Sequence, residues 1–190
     1  MKQEKRSGRE LYENIKLLAE TVVVVTLVFL FALRIISVDG GSMRNTLQHG
    51  DQLLVVNRSL CGELQQGDIV ILSKKSFEDG ATIVKRVIAV GGQSVDIDFD
   101  KGIVYVDGEA LEEPYIREPT YTEEGLSFPV TLSEDEVFVM GDNRNRSSDS
   151  RHPDIGCVDV RHIMGKAVAI VLPGETKETE TRQWSRIGLL

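Results

Sequence analysis

The sequence predicts a mainly β protein with one transmembrane helix at its amino terminus. Two patterns support this prediction. Residues 17–38 form an apolar run, and the chain after it consists of short β-rich runs separated by glycine and aspartate. Because no long amphipathic helix pattern follows the apolar run, we expect the rest of the chain to form an antiparallel β-rich domain.

The apolar run is long enough to cross a bilayer. As a helix rising about 1.5 Å per residue, it would be roughly 33 Å long. A preceding flank rich in lysine and arginine keeps the amino terminus in the cytoplasm, and five such residues are present: Lys2, Lys5, Arg6, Arg9 and Lys16. We therefore expect a single-pass protein of the cell membrane, with a cytoplasmic tail over residues 1–16, an anchor over residues 17–38 and an extracytoplasmic domain over residues 39–173.

Two other interpretations of the apolar run are less favoured. A cleaved secretory signal also has a basic start and an apolar core, but it ends in a small-x-small site. Here the run ends through Leu33-Arg34-Ile35-Ile36-Ser37, with large residues and a charge. The core helix of a soluble protein would show water a polar face, which Val22-Val23-Val24-Val25 lacks.

Length and charge restrict the function classes. With the anchor set aside, roughly 140 residues remain, enough for one modest domain with a real core. The net charge of −8 divides unevenly, because residues 1–16 carry five basic and three acidic groups, so that the remainder carries −10. Such an acidic domain argues against a nucleic-acid partner.

The sequence signals no metal or other cofactor, since it has no CxxC pair, HExxH motif or Walker-type loop. Cys61 and Cys157 are the only cysteines, and their spacing leaves open whether they pair. Between Gly156 and Val158, Cys157 fits a small buried hydrophobic residue.

Eight short runs are predicted as strands: Leu53–Val56, Ile69–Leu72, Thr82–Val90, Ser94–Asp98, Ile103–Val106, Val130–Leu132, Val137–Met140 and Val158–Leu172. Residues 109–135 are acidic and contain three of the five prolines, so we expect an excursion from the core there. The carboxyl-terminal tail, residues 174–190, is mostly polar and is expected to be disordered, with Trp184 near lipid as an alternative.

Ser42, four residues after the apolar run, is a candidate nucleophile, and its hydroxyl needs a base. A Gly-x-Ser-x-Gly elbow is excluded because Arg44 stands at the second glycine position. A Ser-x-x-Lys motif is excluded because no lysine follows a serine by three positions. A Ser-His-Asp triad stays open, although His49, His152 and His162 stand in no stretch that suggests one.

Lysine is the remaining base, and Lys85 is the best candidate. In a strand, alternation puts Lys85 on the same face as Ile83 and Val87, where it would lose water. A lysine that is neutral near pH 7 needs a pKa about three units below its usual value of about 10.4, which corresponds to about 4 kcal/mol. The alternative is an amphipathic strand in which the lysine pairs with an acid.

Together these segments resemble the bacterial type I signal peptidases, the membrane-anchored serine proteases that remove signal peptides from exported proteins. Residues 38–47 resemble the family's nucleophile box, and residues 50–57 the strand box after it. Residues 83–92 resemble the general-base box with its Lys-Arg pair, and residues 141–151 fit the GDNRxxSxDSR box. The resemblance extends from about residue 15 to residue 172 and implies an antiparallel β-rich catalytic domain of the signal peptidase type.

The resemblance implies a Ser/Lys dyad, in which neutral Lys85 takes the proton of Ser42 and an acyl-enzyme forms on Ser42. The backbone N–H of Ser42 would meet the oxyanion, with Gly40 and Met43 as supporting residues. Some members add a serine hydroxyl where Gly40 stands, so here that donor is missing or is a backbone group.

The polar loop of residues 141–151 could be merely solvated, but the resemblance gives supporting roles to three of its residues. Ser147 would orient the Lys85 amine, and Asp149 and Arg151 would hold the loop as an ion pair. The implied substrates are exported preproteins, cut after small-x-small (Ala-x-Ala) sites at the outer surface of a phospholipid membrane, without a cofactor.

Two positions depart from the family pattern, which usually has proline at Asn45 and aspartate at Gln93, and both concern local turn geometry. Two alternative functions remain. One is a membrane-anchored β-domain that binds exported chains without cutting them. The other is a Ser/Lys self-cleaving regulator, which would need a DNA-binding domain where this chain has an apolar helix.

Overall fold

The computed structural model describes residues 2–175 and 181–190. Within these residues the chain forms one α-helix, α1 (Lys2–Phe31), and twelve β-strands. The strands are β1 (Leu33–Ser37), β2 (Gln52–Asn57), β3 (Ile69–Ser73), β4 (Thr82–Ala89), β5 (Ser94–Asp98), β6 (Ile103–Val106), β7 (Glu109–Ala110), β8 (Val130–Thr131), β9 (Glu136–Met140), β10 (Val158–Asp159), β11 (Ile163–Leu172) and β12 (Gly188–Leu189). Short 3-10 turns lie at Glu78–Gly80, Arg144–Arg146, Val160–His162 and Trp184–Arg186.

Helix α1 belongs to the first of two compact units, and by length and composition it could cross a membrane. Its stretch from Gly8 to Phe31 has a mean hydropathy of 2.0. The helix ends before the predicted limit at Val38, because β1 begins at Leu33 and pairs with β2. The β-branched side chains in this strand favour extended backbone, so the end of the apolar run belongs to a sheet.

The second unit, residues 35–190, is built from two sheets. The larger has the order β1-β2-β11-β3-β4-β9-β10, with β12 also paired to β11, and the smaller has the order β7-β6-β5-β8. Every strand pair with a defined register is antiparallel. The predicted fold class, one amino-terminal apolar helix followed by antiparallel β structure, is confirmed.

The turn after Ser42 is anchored in the core. Met43 and Leu47 are 2% and 1% exposed, and they pack in one apolar cluster with residues of β2, β3 and β11. Burying side chains of this size stabilises the fold by about 1.5–3 kcal/mol each. The nucleophile candidate therefore stands on a turn that core packing holds in place.

The order of strands places β4 between β3 and β9. Lys85 lies opposite Val70 of β3, and Arg86 lies opposite Met140, the last residue of β9. Because residues 141–151 follow β9 directly, the sheet brings this polar loop beside Lys85.

Both cysteines are free thiols. Cys157 is partly buried against the apolar cluster of the smaller sheet, and this burial raises the pKa of its thiol. The sequence predicted a small buried hydrophobic residue here, and Cys157 packs against apolar neighbours but stays partly exposed.

The carboxyl-terminal tail is a correction to the predicted disorder over residues 174–190, of which residues 176–180 lie outside the described chain. Strand β12 pairs with β11, and Arg186 forms a two-pronged ion pair with Asp51, at 2.8 Å from Nη1 to Oδ1 and 2.7 Å from Nη2 to Oδ2. Asp51 is fully buried and also accepts the backbone N–H groups of Gln48 and Gly174. The polar composition of the tail gave no indication that Arg186 would pair with Asp51, from which it is separated by 135 residues in sequence.

We predict that Arg186→Met destabilises the full-length protein in detergent by about 3 kcal/mol, because a buried carboxylate loses its cation. Thermal unfolding measures this change. Arg161→Met is the matched control, since the Arg161 side chain is 86% exposed in its pair with Asp159 and exposed pairs contribute about 0–1 kcal/mol. Equal melting temperatures for the two variants would contradict the prediction.

Candidate active site

Ser42 and Lys85 meet at hydrogen-bond distance. Lys85 Nζ lies 2.8 Å from Ser42 Oγ, although 43 residues separate them in sequence. Lys85 is only 3% exposed, and Ser42 is half-buried. The Lys85 amine is therefore shielded from water where it contacts the Ser42 hydroxyl.

Burial lowers the pKa of Lys85, because an ammonium group without water is disfavoured. The carboxylates of Asp149, Glu124 and Asp142 act in the opposite direction, and the Arg151 guanidinium adds to the lowering. The effect of burial prevails, so the amine loses its proton at a lower pH than an exposed lysine.

The backbone around Ser42 is fixed by the polar loop. The backbone N–H of Asn143 donates to Ser42 O at 2.9 Å, and Asn143 Nδ2 donates to Gly41 O at 2.9 Å. Gly40 has φ +91°, in the left-handed region that favours glycine, while space for a Cβ atom is open there. A serine at this position would strain the backbone, so a side-chain donor two residues before Ser42 does not suit this turn.

Ser147 lies close to the turn that carries Ser42 but is not hydrogen-bonded to Lys85 in this structure. Its Oγ is buried and has no hydrogen-bond partner among the described residues. A Cβ atom added to Gly141 would lie 2.2 Å from Ser147 Oγ and 2.5 Å from Ser42 O. Glycine is therefore required at Gly141, where the polar loop passes against the turn that carries Ser42.

Asp149 and Arg151 form a buried ion pair, with Nε to Oδ1 at 2.8 Å and Nη2 to Oδ2 at 2.9 Å. Neither side chain is exposed. Burial raises the pKa of Asp149, but the hydrogen bonds and charge of Arg151, together with the backbone N–H of Gly141, outweigh it and hold the pKa below its usual value. The resemblance implied an ion pair between these two residues, and the two side chains contact each other in the structure.

A second buried ion pair joins three of the sequence boxes, and we did not predict it. Arg86 donates to both carboxylate oxygens of Asp142, at 2.8 Å from Nε and 2.7 Å from Nη2. Thr46, four residues after the nucleophile, donates its hydroxyl to Asp142. In the sequence, Arg86 follows Lys85 and Asp142 follows Gly141. Their spacing in the chain does not show that the two side chains meet.

The excursion also belongs to the site. Residues 113–126, which we call the strap, lie against the polar loop. Glu113 pairs with the fully buried guanidinium of Arg144, which also donates to Thr120 Oγ1 at 2.9 Å. The strap backbone adds further bonds, including Arg117 N–H to Asp142 O at 3.1 Å. The acidic, proline-containing sequence of residues 109–135 predicted an excursion from the core. It did not predict that the strap would pack against the polar loop.

The two departures from the family pattern have local explanations. Asn45 has φ +105°, which proline cannot adopt because its ring holds φ near −65°. Asn45 Nδ2 donates to Tyr115 O of the strap at 3.2 Å. Gln93 Oε1 accepts the backbone N–H of Val90 at 3.0 Å and so closes its own turn.

A shallow cavity of about 130 Å³ opens beside Ser42 and Lys85. Residues 36–39 form one wall, and residues 82–84 of β4 form the other. Strand β9 pairs with β4 only from Arg86 onwards, so this half of β4 has an edge available to an extended peptide.

Nothing in the described part of the chain supports a histidine base or a metal. No histidine there is hydrogen-bonded to Ser42, and His49 Nδ1 instead lies 3.1 Å from Asp39 Oδ1. Among the same residues, no group of three or more His, Cys, Asp and Glu side chains could hold a metal ion. The titratable side chain that contacts the Ser42 hydroxyl in the described geometry is Lys85.

We predict that Lys85→Met raises the melting temperature of the full-length protein at pH 7 by roughly 3–6 °C. A lysine whose pKa is lowered by folding binds fewer protons folded than unfolded, so stability rises with pH between the folded-state pKa and the ordinary value near 10.5. The gain should therefore shrink as the pH approaches 10.

Thermal unfolding between pH 7 and pH 10 measures this effect. Lys101→Met is the control, because Lys101 is exposed and its hydrogen bond to Asp98 raises its pKa. A Lys85→Met variant that is no more stable than the control at pH 7 would show that burial does not destabilise the ammonium.

Comparison with known proteins identifies the family. A family model described as signal peptidase, peptidase S26, matches residues 11–172. The chain is 32% identical to a signal peptidase I of Bacillus licheniformis over 95% of this chain and 100% of that protein. It is 35% identical to a probable signal peptidase I-1 of Synechocystis over 93% of this chain and 86% of that protein.

A crystal structure of a signal peptidase I from Enterococcus faecalis is similar as well, with 27% identity and a TM-score of 0.44 over 55% of this chain and 96% of that chain. The family model covers most of the sequence, and the relatives match nearly end to end. This chain belongs to the signal peptidase family, peptidase S26.

Proposed function

We propose that this protein removes amino-terminal signal peptides from exported preproteins, with Ser42 as nucleophile and Lys85 as general base. The observation that carries the proposal is the 2.8 Å contact between the Ser42 hydroxyl and a lysine that is 3% exposed. Burial supplies the lowered pKa that lysine needs to act as a base, and the contact gives it a proton to take.

The reaction proceeds in two steps. Neutral Lys85 accepts the Ser42 proton as Ser42 Oγ attacks the scissile carbonyl, and the protonated Lys85 then gives a proton to the departing amine. That amine becomes the new amino terminus of the mature protein. Lys85 next deprotonates a water molecule, which attacks the acyl-enzyme ester, and the protonated Lys85 returns the proton to Ser42 Oγ as the ester bond breaks and the carboxylate product leaves.

The backbone N–H of Ser42 is suited to stabilise the oxyanion. It has no hydrogen-bond acceptor among the described residues, whereas the Ser42 carbonyl is held by Asn143. The hydrogen bond to the Ser42 carbonyl thus fixes the turn, while the Ser42 N–H stays available to donate to an oxyanion. In this proposal Asp149 and Arg151 keep the polar loop in place, and Ser147 orients the Lys85 amine during turnover.

The cavity beside Ser42 supports cleavage after small-x-small sites. An extended substrate lying along the edge of β4 would point its first and third side chains before the cut toward the same wall, and its second side chain away. A space of about 130 Å³ between residues 36–39 and 82–84 suits small side chains. Ala-x-Ala sites fit this arrangement.

The anchor completes the proposal. Helix α1 would cross the cell membrane with its basic amino terminus in the cytoplasm, and the β-rich domain would lie outside. A preprotein that crosses the membrane would present its cleavage site on that same outer side.

We predict that wild-type protein in detergent with phospholipid cuts a preprotein immediately after its Ala-x-Ala site, while Ser42→Ala and Lys85→Met reduce turnover at least about 10⁴-fold. Amino-terminal sequencing of the product measures the position of the cut. Lys101→Met is the control and should cut normally. Cleavage by the Ser42→Ala variant would exclude the Ser42/Lys85 dyad as the catalytic pair. If the wild-type protein leaves the substrate uncut, the result would favour a domain that binds exported chains without cutting them.

We also predict that replacing the alanine just before the cut by phenylalanine lowers kcat/KM at least about 100-fold, because the cavity has no room for the ring. The same replacement at the middle position is the control and should change kcat/KM less than about threefold, since that side chain points away. Equal effects at the two positions would contradict the proposed seating of the substrate.

A further inference from the structure

Glu124 is a carboxylate of the strap that lies outside the four sequence boxes. Its side chain is 12% exposed. Oε2 accepts the backbone N–H of Asp149 at 3.1 Å, and Oε1 lies 3.7 Å from Arg151 Nη2. The strap docks on both sides of it, because Arg151 Nη1 donates to Thr122 O at 2.8 Å and Leu126 N–H donates to Arg151 O at 2.9 Å.

The guanidinium of Arg151 therefore lies between two carboxylates. Asp149 takes the two short bonds, and Glu124 is the more distant second anion. Two negative groups face one positive group, so this buried cluster keeps an excess negative charge. That excess favours the charged form of Lys85, as do both carboxylates individually.

The charged groups around the two side chains define what a substitution would change. The charges that act on the pKa of Lys85 are those of Asp149, Glu124, Asp142 and Arg151. Glu124 itself faces Asp149, Arg151 and His152, and burial followed by the Asp149 charge raises its pKa. Glu124 acts on its surroundings in two different ways. Its hydrogen bond to the Asp149 backbone needs only an acceptor oxygen, whereas its electrostatic effect on Lys85 needs the negative charge.

We propose that Glu124 is a positioning residue of the active site, which holds the backbone at Asp149 and sets, with Arg151, the charge that faces the Lys85 amine. This inference rests on the proposed function for the reaction that it influences. Glu124 then connects the strap to the active site, whereas its exposed neighbour Glu123 has no such role.

Two substitutions separate the two contributions. Glu124→Gln keeps an acceptor oxygen but removes the charge, so the acidic limb of the kcat/KM profile should move about 0.5–1 pH unit lower. Glu124→Ala should show the same shift, and it should also lower kcat about tenfold with little change in KM, because the Asp149 backbone loses its brace. Glu123→Gln is the matched control, since Glu123 is the neighbouring exposed acid.

The experiment measures preprotein cleavage from about pH 6 to pH 10 with the full-length protein. In parallel, trace acetylation of Lys85 by acetic anhydride is followed by peptide mass spectrometry over the same range. The labelling midpoint reports the pKa of the Lys85 amine without requiring turnover. We expect it to move to lower pH in both Glu124 variants and to stay unchanged in Glu123→Gln.

Each outcome decides one question. Unchanged labelling midpoints in Glu124→Gln and Glu124→Ala would overturn the inference, even if both variants melt at lower temperature, because a purely structural role predicts that result. If wild-type protein fails to cleave the preprotein, the proposed function fails, while the labelling midpoints still decide the role of Glu124.

Discussion

The structure of the site depends on removing water from one amine. Lys85 can take a proton from Ser42 only if it is neutral, and the pKa is lowered chiefly by burial. Lys85 must therefore stand on a buried strand of the sheet and not on a surface loop. Placing it on β4, between β3 and β9, achieves this, because strand neighbours such as Val70 and Val87 are fully buried. The same sheet order puts the polar loop after β9 next to the amine.

The loops around this amine are held by ion pairs more than by apolar contacts. Arg86 with Asp142, Arg144 with Glu113, and Arg151 with Asp149 are all buried or nearly so. Replacing such pairs by apolar residues is often neutral for stability. What the pairs add is direction, since a guanidinium fork and a carboxylate fix each other's orientation. We attribute the geometry of the nucleophile turn and polar loop to these directional contacts, and the overall stability to the apolar clusters.

The sequence predicted the local features well and the long-range ones poorly. Strands β5 and β6 have their predicted ends, because alternation and glycine turns are local signals. The predicted strand Val158–Leu172 is interrupted by the turn Val160–His162, which alternation does not report. The end of α1 was placed too late, because an apolar run does not reveal where it joins a sheet. The docking of the strap and the pairing of Arg186 with Asp51 depend on residues far apart in the chain.

Three of the charged groups that act on Lys85 lie in the polar loop and Glu124 lies outside the sequence boxes, but the motifs do not show how their effects on the pKa combine. Of the four charged groups around the amine, three carboxylates raise its pKa and only Arg151 lowers it. The charges, taken together, therefore oppose the neutral form, and burial must outweigh them. Apolar packing around β4 therefore lowers the pKa of Lys85, and the carboxylates limit how far this pKa falls. In the proposed reaction the amine accepts a proton from Ser42 and returns it to the leaving group, which a strongly basic or a permanently neutral amine could not do.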